Sequence, residues 1–356
     1  MKVALLGLLE SGKSTLFSAV SSKAITPVGS TSIEEAIVPV TDERLDWLAE
    51  YYKPKKVTQA TIDCLDLPGL NFADEHGRAS AKRLFSKIRT VDLLVMVVRE
   101  FENPAVPPYR GSLNTVRDFE ELKTELLLAD LELVTTRIEN IEKQVNKPIK
   151  IQAQDKAELT LQKKLQETIE SEKPISSAIE TESESQMVKS LGFLTLKPIV
   201  VAVNIGEGQL GKNLDFTGRI KGASDIITIC AKLEYELTQL DDDSRDEFMT
   251  DLGITESAVS KFVHSCYSAL GLISFLTVVS GELRAWPIKQ GTKAVDAAGK
   301  VHTDIKRGFI RAETMAFDDL KEFGSEKEVK AAGKMRLEGK KYTVNDGDII
   351  NFRFNV

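Results

Sequence analysis

Continuous apolar runs alternate along the chain with stretches of helical periodicity. The runs KVALLG, VDLLVMVV, KPIVVAVN and DIITIC (residues 2–7, 91–98, 197–204 and 225–230) lack the alternation of one-sided strands. Such runs are typical of parallel strands that are covered on both faces. ATIDCLDLPGL (60–70) predicts a further strand that ends in a Pro-Gly turn, and KSTLFSAVSS (13–22) predicts a helix. Strands alternating with helices predict an α/β domain with a doubly wound sheet.

A helical region interrupts these strands. Apolar residues recur there at alternating spacings of four and three, a heptad seam formed by Leu127, Leu131, Val134, Ile138, Ile141 and Val145. The polar break NKPIKIQAQD follows, and a second helical stretch carries Leu161, Leu165 and Ile169. This pattern predicts an antiparallel helical hairpin inserted into the α/β domain at about residues 115–190. Two ordinary surface helices are the alternative.

The last part of the chain has a different texture. Short strands such as AWPI and KYTVNDGDIINFRFNV stand beside the helical stretch AAGKVHTDIKRGF. Asn345, Asp346 and Gly347 predict a turn before alternating apolar residues. We therefore expect two domains, an α/β domain over residues 1–272 and a small mixed module over residues 273–356.

Composition and charge narrow the function classes only slightly. The chain has 356 residues, of which 42% are hydrophobic and 28% charged, as in a soluble protein of two domains. Its net charge of −7 does not favour nucleic-acid binding. The charge is uneven, however: residues 281–356 carry 15 Lys and Arg and 12 Asp and Glu, a net charge of +3, so the rest of the chain has a net charge of −10. Cys64, Cys230 and Cys266 lie far apart, so we expect reduced thiols, as in the cytosol. We expect neither a signal peptide nor a membrane span.

The clearest chemical motif is GLLESGKS at residues 7–14, which lies between a predicted strand and a predicted helix. It matches the P-loop pattern G-x-x-x-x-G-K-[ST], in which backbone N–H groups and the helix N-terminus bind phosphates. Gly7 and Gly12 frame the loop, Lys13 would reach the β- and γ-phosphates, and the Ser14 hydroxyl would ligate Mg²⁺. The sequence therefore predicts a nucleotide-binding loop.

A second motif, DLPG, closes the predicted strand at residues 66–69. In a P-loop site, Asp66 would lie on the side of the magnesium ion and Gly69 would sense the γ-phosphate. A plain turn at the end of a strand is the alternative. In GTPases that orient water with a glutamine, that residue directly follows this glycine, and here the position holds Leu70. Because leucine cannot hydrogen-bond water, hydrolysis must use another group or be slow.

The base-reading position is NIGE at residues 204–207. Switch GTPases read guanine with Asn-Lys-x-Asp. This chain keeps Asn204 but has Ile205 in place of the lysine and Glu207 in place of the aspartate, which argues against tight guanine selection. A turn after a strand is the alternative reading. In the next loop, CAKLE, Ala231 and Lys232 would flank the base.

Taken together, these residues resemble the YchF subfamily of Obg-type P-loop proteins, the Obg-like ATPases. The resemblance covers essentially the whole chain, and its most specific part is the tail from LRAWPIKQG to FRFNV, which resembles the family's TGS domain, a ubiquitin-like β-grasp. It implies a preference for ATP over GTP, Mg²⁺-dependent hydrolysis to ADP and phosphate, a central helical insertion and ribosome association. It also implies stress- or redox-linked regulation in the cytosol.

The resemblance further implies which residues hold the ligand. The ATP phosphates would contact Glu10, Ser11, Gly12, Lys13, Ser14 and Thr15, and the base would contact Asn204, Ile205 and Glu207. Magnesium would take Ser14 and a switch hydroxyl, on the side of Asp66. That hydroxyl belongs to Thr31 or Ser32, in the segment GSTSIEEAIVP.

The chain also departs from the family pattern. Leu9, Glu10 and Ser11 replace Pro-Asn-Val before Gly-Lys-Ser, and Pro108 occupies the place of a histidine linked to hydrolysis. A carboxylate at Glu10 would cost energy beside a triphosphate unless it turns outward or meets a cation. His76 follows DLPG and is interpreted as a switch residue rather than a catalyst. We therefore expect a divergent member of the family.

Three functions remain open from the sequence: a ribosome-associated ATPase switch, a hydrolysis-defective nucleotide-dependent binding module, and a GTP switch. The predicted hairpin and the C-terminal module would present surfaces for RNA, and we expect a monomer without a membrane partner. A solvated charged surface is the alternative for any one cation. The candidate RNA contacts are Lys289, Lys293, Lys306, Arg307, Arg311, Lys340 and Lys341.

Overall fold

The computed structural model describes residues 1–25, 30–145, 153–212, 214–254 and 256–355. The chain divides into two compact units. The first comprises residues 1–36 and 63–259, and the second comprises residues 37–62 and 260–356. This division differs from the predicted boundary after residue 272, because residues 37–62 and 260–272 belong to the second unit.

The secondary structure follows the predicted alternation in the first part of the chain. The strands are β1 (Lys2–Gly7), β2 (Glu34–Pro39), β3 (Lys56–Thr58), β4 (Thr61–Asp66), β5 (Leu93–Arg99), β6 (Ile199–Asn204), β7 (Asp225–Ile229), β8 (Leu272–Val279), β9 (Glu282–Lys289), β10 (Phe309–Ala316), β11 (Arg336–Glu338) and β12 (Asp348–Phe354). The helices are α1 (Lys13–Ser21), α2 (Glu43–Tyr52), α3 (Glu75–Lys87), α4 (Thr115–Val145), α5 (Ala153–Glu170), α6 (Glu182–Lys189), α7 (Ala231–Leu237), α8 (Asp242–Asp251), α9 (Ala258–Ala269), α10 (Ala294–Val301), α11 (Thr303–Arg307), α12 (Phe317–Phe323) and α13 (Glu326–Ala331).

The first sheet has the strand order β2-β4-β1-β5-β6-β7. Its pairs β1–β4, β1–β5, β5–β6 and β6–β7 are all parallel, as the apolar runs predict. Every residue of β5 and β6 is buried, because both faces of the sheet are covered. The carboxyl ends of these parallel strands lie along one edge of the sheet, which is where α/β proteins of this kind bind their ligands.

The predicted heptad seam lies on α4. Its residues Val134, Ile138 and Ile141 are buried. Val134 and Ile138 share an apolar cluster with Leu161, Leu165 and Ile169 of α5. Ion pairs join the two helices as well, with 2.6 Å between Arg137 Nε and Glu158 Oε1 and 2.7 Å between Lys163 Nζ and Glu142 Oε1. The side chain of Val145 and residues 146–152 of the predicted break lie outside the described residues.

The second unit is built on the sheet β11-β10-β12-β8-β9-β3. Its β8–β9, β10–β11 and β10–β12 pairs are antiparallel, whereas β12–β8 and β3–β9 are parallel. Phe275, Ala298 and Ile350 belong to the core, in which α10 packs on this sheet. In the predicted turn, Gly347 has a φ of 78°, which a glycine adopts without strain.

Residues 37–62 are fastened to the rest of the second unit by side chains of α2 as well as by β3. The Arg44 guanidinium lies 2.7 Å from Asp346 Oδ2, and the Tyr52 hydroxyl donates to Glu326. Trp47 packs edge-on against Phe317 with 5.5 Å between ring centroids. This segment therefore folds with residues 260–356, although 197 residues separate the two parts in the sequence.

Two further features bear on the sequence predictions. All three cysteines are buried and none forms a disulfide; burial also raises the pKa of the Cys230 thiol, which disfavours the reactive thiolate. Within the described ranges, the helices are too short or too polar to cross a membrane.

Candidate functional site

The loop between β1 and α1 depends on its two glycines. Gly12 has a φ of 81°, and a Cβ there would collide with the side-chain amide of Asn204. A Cβ on Gly7 would lie 2.9 Å from the Val97 carbonyl oxygen and against Ser11. The first turn of α1 has no side-chain cap, so its N–H groups point into the loop. The loop therefore presents backbone donors and a helix N-terminus to an anion.

Lys13 and Asp66 meet beneath this loop. Lys13 opens α1 and Asp66 ends β4, which pairs with β1 in parallel. Both side chains are buried, with 4% and 3% of their surfaces exposed, and the Lys13 ammonium donates to the Asp66 carboxylate. Burial lowers the pKa of Lys13, and the Asp66 charge opposes that shift. A buried cation thus lies where the sequence predicts the phosphate-binding lysine.

The segment after Asp66 is attached to the loop through backbone hydrogen bonds. Leu70 N donates to Gly7 O at 2.9 Å, and Leu9 N donates to Leu70 O at 3.0 Å. A Cβ on Gly69 would lie 2.9 Å from a methyl carbon of Leu9. The Leu70 side chain is 1% exposed and packs in the core of the first unit. Leu70 is thus an apolar core residue.

Glu10 and Ser11 lie in different surroundings within the loop. Glu10 has a φ of 60° and its side chain is exposed, so the carboxylate can reach solvent. The Ser11 hydroxyl is buried and has no hydrogen-bond partner in the described part of the chain. It faces a cavity of about 10 Å³ that Pro108 and Tyr109 also line, a volume that suits one water molecule.

Asn204 joins the two loops that flank the site. Its Nδ2 donates to Ser11 O at 3.0 Å, and its Oδ1 accepts from Ala231 N at 3.0 Å. The side chain is 5% exposed. The amide that the sequence predicts to hold the base thus joins the phosphate loop to the start of α7.

The other residues of the predicted base site lie beside Asn204. Ile205 is buried, and its N–H donates to Ile229 O at 2.8 Å. Glu207 and Lys232 are exposed and form an ion pair, with 2.8 Å between Oε1 and Nζ. The hydrogen bond from Glu207 raises the pKa of Lys232. The NIGE and CAKLE loops therefore contact each other at the ends of β6 and β7.

The predicted magnesium donors are hard oxygen atoms. The half-buried Ser14 lies in the first turn of α1, next to Lys13 and its partner Asp66. Mg²⁺ binds through one or two carboxylates together with waters and substrate phosphates, so a hydroxyl and a carboxylate fit it. Thr31 is exposed, and Ser32 Oγ donates to Glu34 Oε1 at 2.9 Å. No cluster of three or more His, Cys, Asp or Glu side chains that could hold a metal occurs among the residues described.

Two departures from the family pattern lie near the loop. Pro108 precedes Tyr109, whose hydroxyl accepts from Phe72 N at 3.2 Å and donates to Glu121 Oε1 at 3.2 Å. His76 is exposed in the first turn of α3 and lines a groove of about 190 Å³. Neither Pro108 nor His76 contacts Lys13 or Asp66 in the described hydrogen-bond network.

One aromatic residue of the site was missed by the sequence reasoning. Phe101 follows β5, and a Cβ on Gly12 would lie 3.5 Å from its ring. The Arg99 guanidinium packs over this ring at 4.4 Å from the centroid. Phe101 therefore lies between the phosphate loop and Gly206 of the NIGE loop. An aromatic residue directly after a central strand, in REFEN, is the signal that could have found it.

The predicted RNA contacts in the second unit are partly engaged within the chain. Lys289 Nζ donates to Leu270 O at 2.6 Å, and Lys293 Nζ donates to Thr343 Oγ1 at 2.5 Å. Lys306 and Arg307 form ion pairs of 2.8 and 2.9 Å with Asp296 and Asp304. Arg311, Lys340 and Lys341 have exposed side chains.

Comparisons with known proteins agree with this arrangement. Residues 2–204 match a family model described as 50S ribosome-binding GTPase, and residues 272–355 match the YchF-GTPase_C model, described as a protein of unknown function. The chain is 37% identical to the ribosome-binding ATPase YchF of Bacillus subtilis, over 99% of this chain and 98% of that protein. It is 36% identical to Obg-like ATPase 1 of Oryza sativa, over 100% of this chain and 92% of that protein.

A solved structure extends the likeness to the whole fold. The YchF GTPase of Schizosaccharomyces pombe is 30% identical, with a TM-score of 0.81 over 99% of this chain and 97% of that one. Sequence identity of 36–37% over nearly the full length, together with family models that match residues 2–204 and 272–355, confirms the family resemblance predicted from the motifs. The chain belongs to the YchF family.

Proposed function

We propose that this protein binds ATP with Mg²⁺ and hydrolyses it slowly to ADP and phosphate, as a ribosome-associated switch. The observation that carries the proposal is the buried pair of Lys13 and Asp66 beneath a loop that requires Gly12. A buried ammonium with a single carboxylate partner is poised to exchange that partner for a polyphosphate. Relatives that align over the full length are named ribosome-binding ATPases.

Different residues of the loop would bind the phosphates and the magnesium ion. Backbone N–H groups of residues 10–15 hold the phosphates, and Lys13 neutralises the β- and γ-phosphate oxygens. Ser14 and Asp66, with the hydroxyl of Thr31, would hold Mg²⁺, which neutralises charge on the transferred phosphoryl group when bound. Glu10 is exposed, so its carboxylate can turn outward into solvent when the phosphates bind.

The preference for ATP follows from the base loops. Guanine recognition requires a carboxylate that accepts from the base, and the Glu207 carboxylate is already paired with Lys232 at 2.8 Å. Ile205 is buried and apolar, so it cannot replace the lysine of the guanine reader. The other residues beside this pair, Asn204, Ala231 and Phe101, carry no carboxylate that could take its place.

The second candidate function is a hydrolysis-defective, nucleotide-dependent binding module. Two positions favour it: Leu70 is buried in the core, and Pro108 has no side-chain donor or acceptor. In the ATPase proposal the same two positions keep the unstimulated rate low, and a bound partner accelerates it. Loops near Asp66 and Gly69 would then relax after hydrolysis and change the affinity for that partner.

The finer features of the switch are also part of the proposal. Helices α4 and α5 form an inserted antiparallel hairpin, and residues 273–356 act as a TGS-type β-grasp module. Both would contact RNA, the latter through Arg311, Lys340 and Lys341. We further propose that the protein acts as a monomer in the cytoplasm, where its partner, the ribosome, is found.

Phosphate release tests the proposal directly. The wild-type protein should release phosphate from ATP in the presence of Mg²⁺, and Lys13→Ala should abolish that release because the loop loses its only buried cation among the described residues. Lys87→Ala, at the exposed end of α3, is the matched control and should leave the rate unchanged. Release undiminished by Lys13→Ala would refute the assignment, whereas ATP binding without release would favour the second candidate.

A further inference from the structure

The segment that follows the predicted γ-phosphate sensor is anchored at two points. The N–H of Gly69 has no partner in the described hydrogen bonds, so this donor is available to a phosphate oxygen. The next residue, Leu70, is bonded to the phosphate loop through its own N–H and C=O. The second anchor is Phe72, which is 1% exposed and packs on Phe85 with 6.5 Å between ring centroids.

The backbone of Phe72 is held on both sides by side chains that lead to α4. Its N–H donates to the Tyr109 hydroxyl oxygen at 3.2 Å, and that hydroxyl donates to Glu121 Oε1 at 3.2 Å. Its carbonyl oxygen accepts from Arg78 Nε at 3.1 Å, and the same nitrogen lies 3.7 Å from Glu125 Oε1. Glu121 and Glu125 are four residues apart on α4, so they lie on the same face of that helix. We call Tyr109, Arg78, Glu121 and Glu125 the Phe72 clamp.

The Tyr109 arm of the Phe72 clamp has a fixed orientation. Arg110 Nη2 donates to the same Glu121 oxygen at 2.7 Å, and the Arg110 guanidinium lies 5.2 Å from the centroid of the Tyr109 ring. Arg117 Nη2 donates to the Tyr109 carbonyl oxygen at 3.1 Å. Burial raises the pKa of Tyr109, so its hydroxyl stays protonated and can donate at neutral pH. The hydroxyl oxygen is therefore presented to the Phe72 N–H in one place.

We propose that Tyr109 and Arg78 are positioning residues for the hydrolysis of ATP, an inference that rests on the proposed function. With Leu70 as the sole anchor the segment could pivot on the loop, whereas a second anchor at Phe72 fixes its direction. The Gly69 N–H is then held in place before the γ-phosphate arrives. A donor that is fixed in advance stabilises the charge of the transition state without reorganising at that moment. Tyr109 and Arg78 act through Phe72 and touch no reacting atom.

Steady-state phosphate release from ATP with Mg²⁺, measured on the full chain, separates positioning from binding. Tyr109→Phe removes only the hydroxyl, and Arg78→Met removes the guanidinium. The matched controls are Tyr51→Phe, a half-buried tyrosine whose ring packs on other aromatic rings of α2, and Arg83→Met, an exposed arginine on the same helix as Arg78. Circular dichroism verifies that every variant is folded.

The expected result is a loss in kcat with little change in KM. Tyr109→Phe should lower kcat about tenfold and leave KM for ATP within about twofold, because Lys13 and the loop still hold the phosphates. Arg78→Met should lower kcat only about threefold, because the Arg78 side chain is 59% exposed and solvent weakens its contacts. Arg78→Lys should restore most of that loss, since an ammonium can also donate to the Phe72 carbonyl. Both controls should keep the wild-type constants.

Amide hydrogen exchange of the nucleotide-free protein tests the Phe72 clamp without the reaction. In Tyr109→Phe, the peptide that covers residues 70–74 should exchange at least about fivefold faster than in wild type, because the Phe72 N–H loses its acceptor. In Tyr51→Phe the same peptide should exchange at the wild-type rate. Unchanged exchange in Tyr109→Phe would overturn the proposal, since Phe72 would then be held by other contacts.

The kinetic outcomes distinguish this proposal from the proposed function. Release in wild type that depends on Lys13, together with an unchanged kcat in Tyr109→Phe, would overturn the positioning role and leave the ATPase assignment in place. A raised KM at unchanged kcat would also overturn it, because Tyr109 would then serve binding. Absence of release from the wild-type protein would refute the proposed function and this role with it.

Discussion

Removing the Asn204 side chain should loosen the nucleotide site from within. In Asn204→Ala, the Ser11 carbonyl and the Ala231 N–H both lose their 3.0 Å partner. Because Asn204 is 5% exposed, water reaches these groups poorly. Leaving each of the two buried groups unsatisfied costs about 1–3 kcal/mol, so we expect a loss of about 2–6 kcal/mol in the free energy of unfolding.

Urea denaturation followed by circular dichroism measures this loss, with Asn351→Ala, an exposed asparagine of β12, as the control. Amide hydrogen exchange should also become faster in residues 8–12 and 229–233, where the two freed groups lie, and little elsewhere. On the proposed function, ATP affinity falls about tenfold or more, because the loop is no longer held in one conformation. An unfolding free energy within about 0.5 kcal/mol of wild type, with unchanged exchange, would refute the reasoning.

Three further substitutions test separate parts of the structure. Gly12→Ala should abolish nucleotide binding because of its φ of 81° and the collision with Asn204, whereas Gly208→Ala, with open space around it, should be neutral in the same titration. Asp130→Ala should cost about 3–5 kcal/mol in urea denaturation because it leaves the partly buried Arg89 unpaired; a loss below about 1 kcal/mol contradicts this. Burial raises the pKa of Tyr342 to about 12, so stability should fall as the pH rises from 10 to 12. In Tyr342→Phe the free energy of unfolding should fall by about 1 kcal/mol less over this pH range; the difference is small because solvent screens a partly exposed group. A variant with the same pH dependence of stability as wild type would contradict the role of Tyr342.

The parts of the fold that follow from local sequence were predictable. The loop from Gly7 to its helix is contiguous, and its residue types are dictated by backbone conformation and phosphate contact, so the strand, loop and α1 occur where GLLESGKS predicts them. Fully apolar runs likewise predicted the parallel strands, because burial on both faces leaves no polar positions. The seam on α4 was visible because helical packing repeats along the chain.

Contacts between distant residues were not predictable in this way. Thr58 bonds to Glu282, 224 positions away, and no periodicity marks residues 37–62 as part of the second unit. Asn204 was expected only to hold the base, since its partner Ser11 lies 193 positions earlier in the chain. The sequence shows that Leu70 cannot orient water. Its burial and its backbone hydrogen bonds to the loop depend on the pairing of β1 with β4, which the local sequence does not reveal.

The central claim is that the loop at residues 7–14 binds the phosphates of a purine nucleoside triphosphate. Calorimetric titration of the purified protein with ATP, and separately with GTP, in the presence of Mg²⁺ tests it most directly. The account predicts one site that binds ATP more tightly than GTP and that Lys13→Ala eliminates. Absence of heat with either nucleotide, or binding that survives Lys13→Ala, would contradict it.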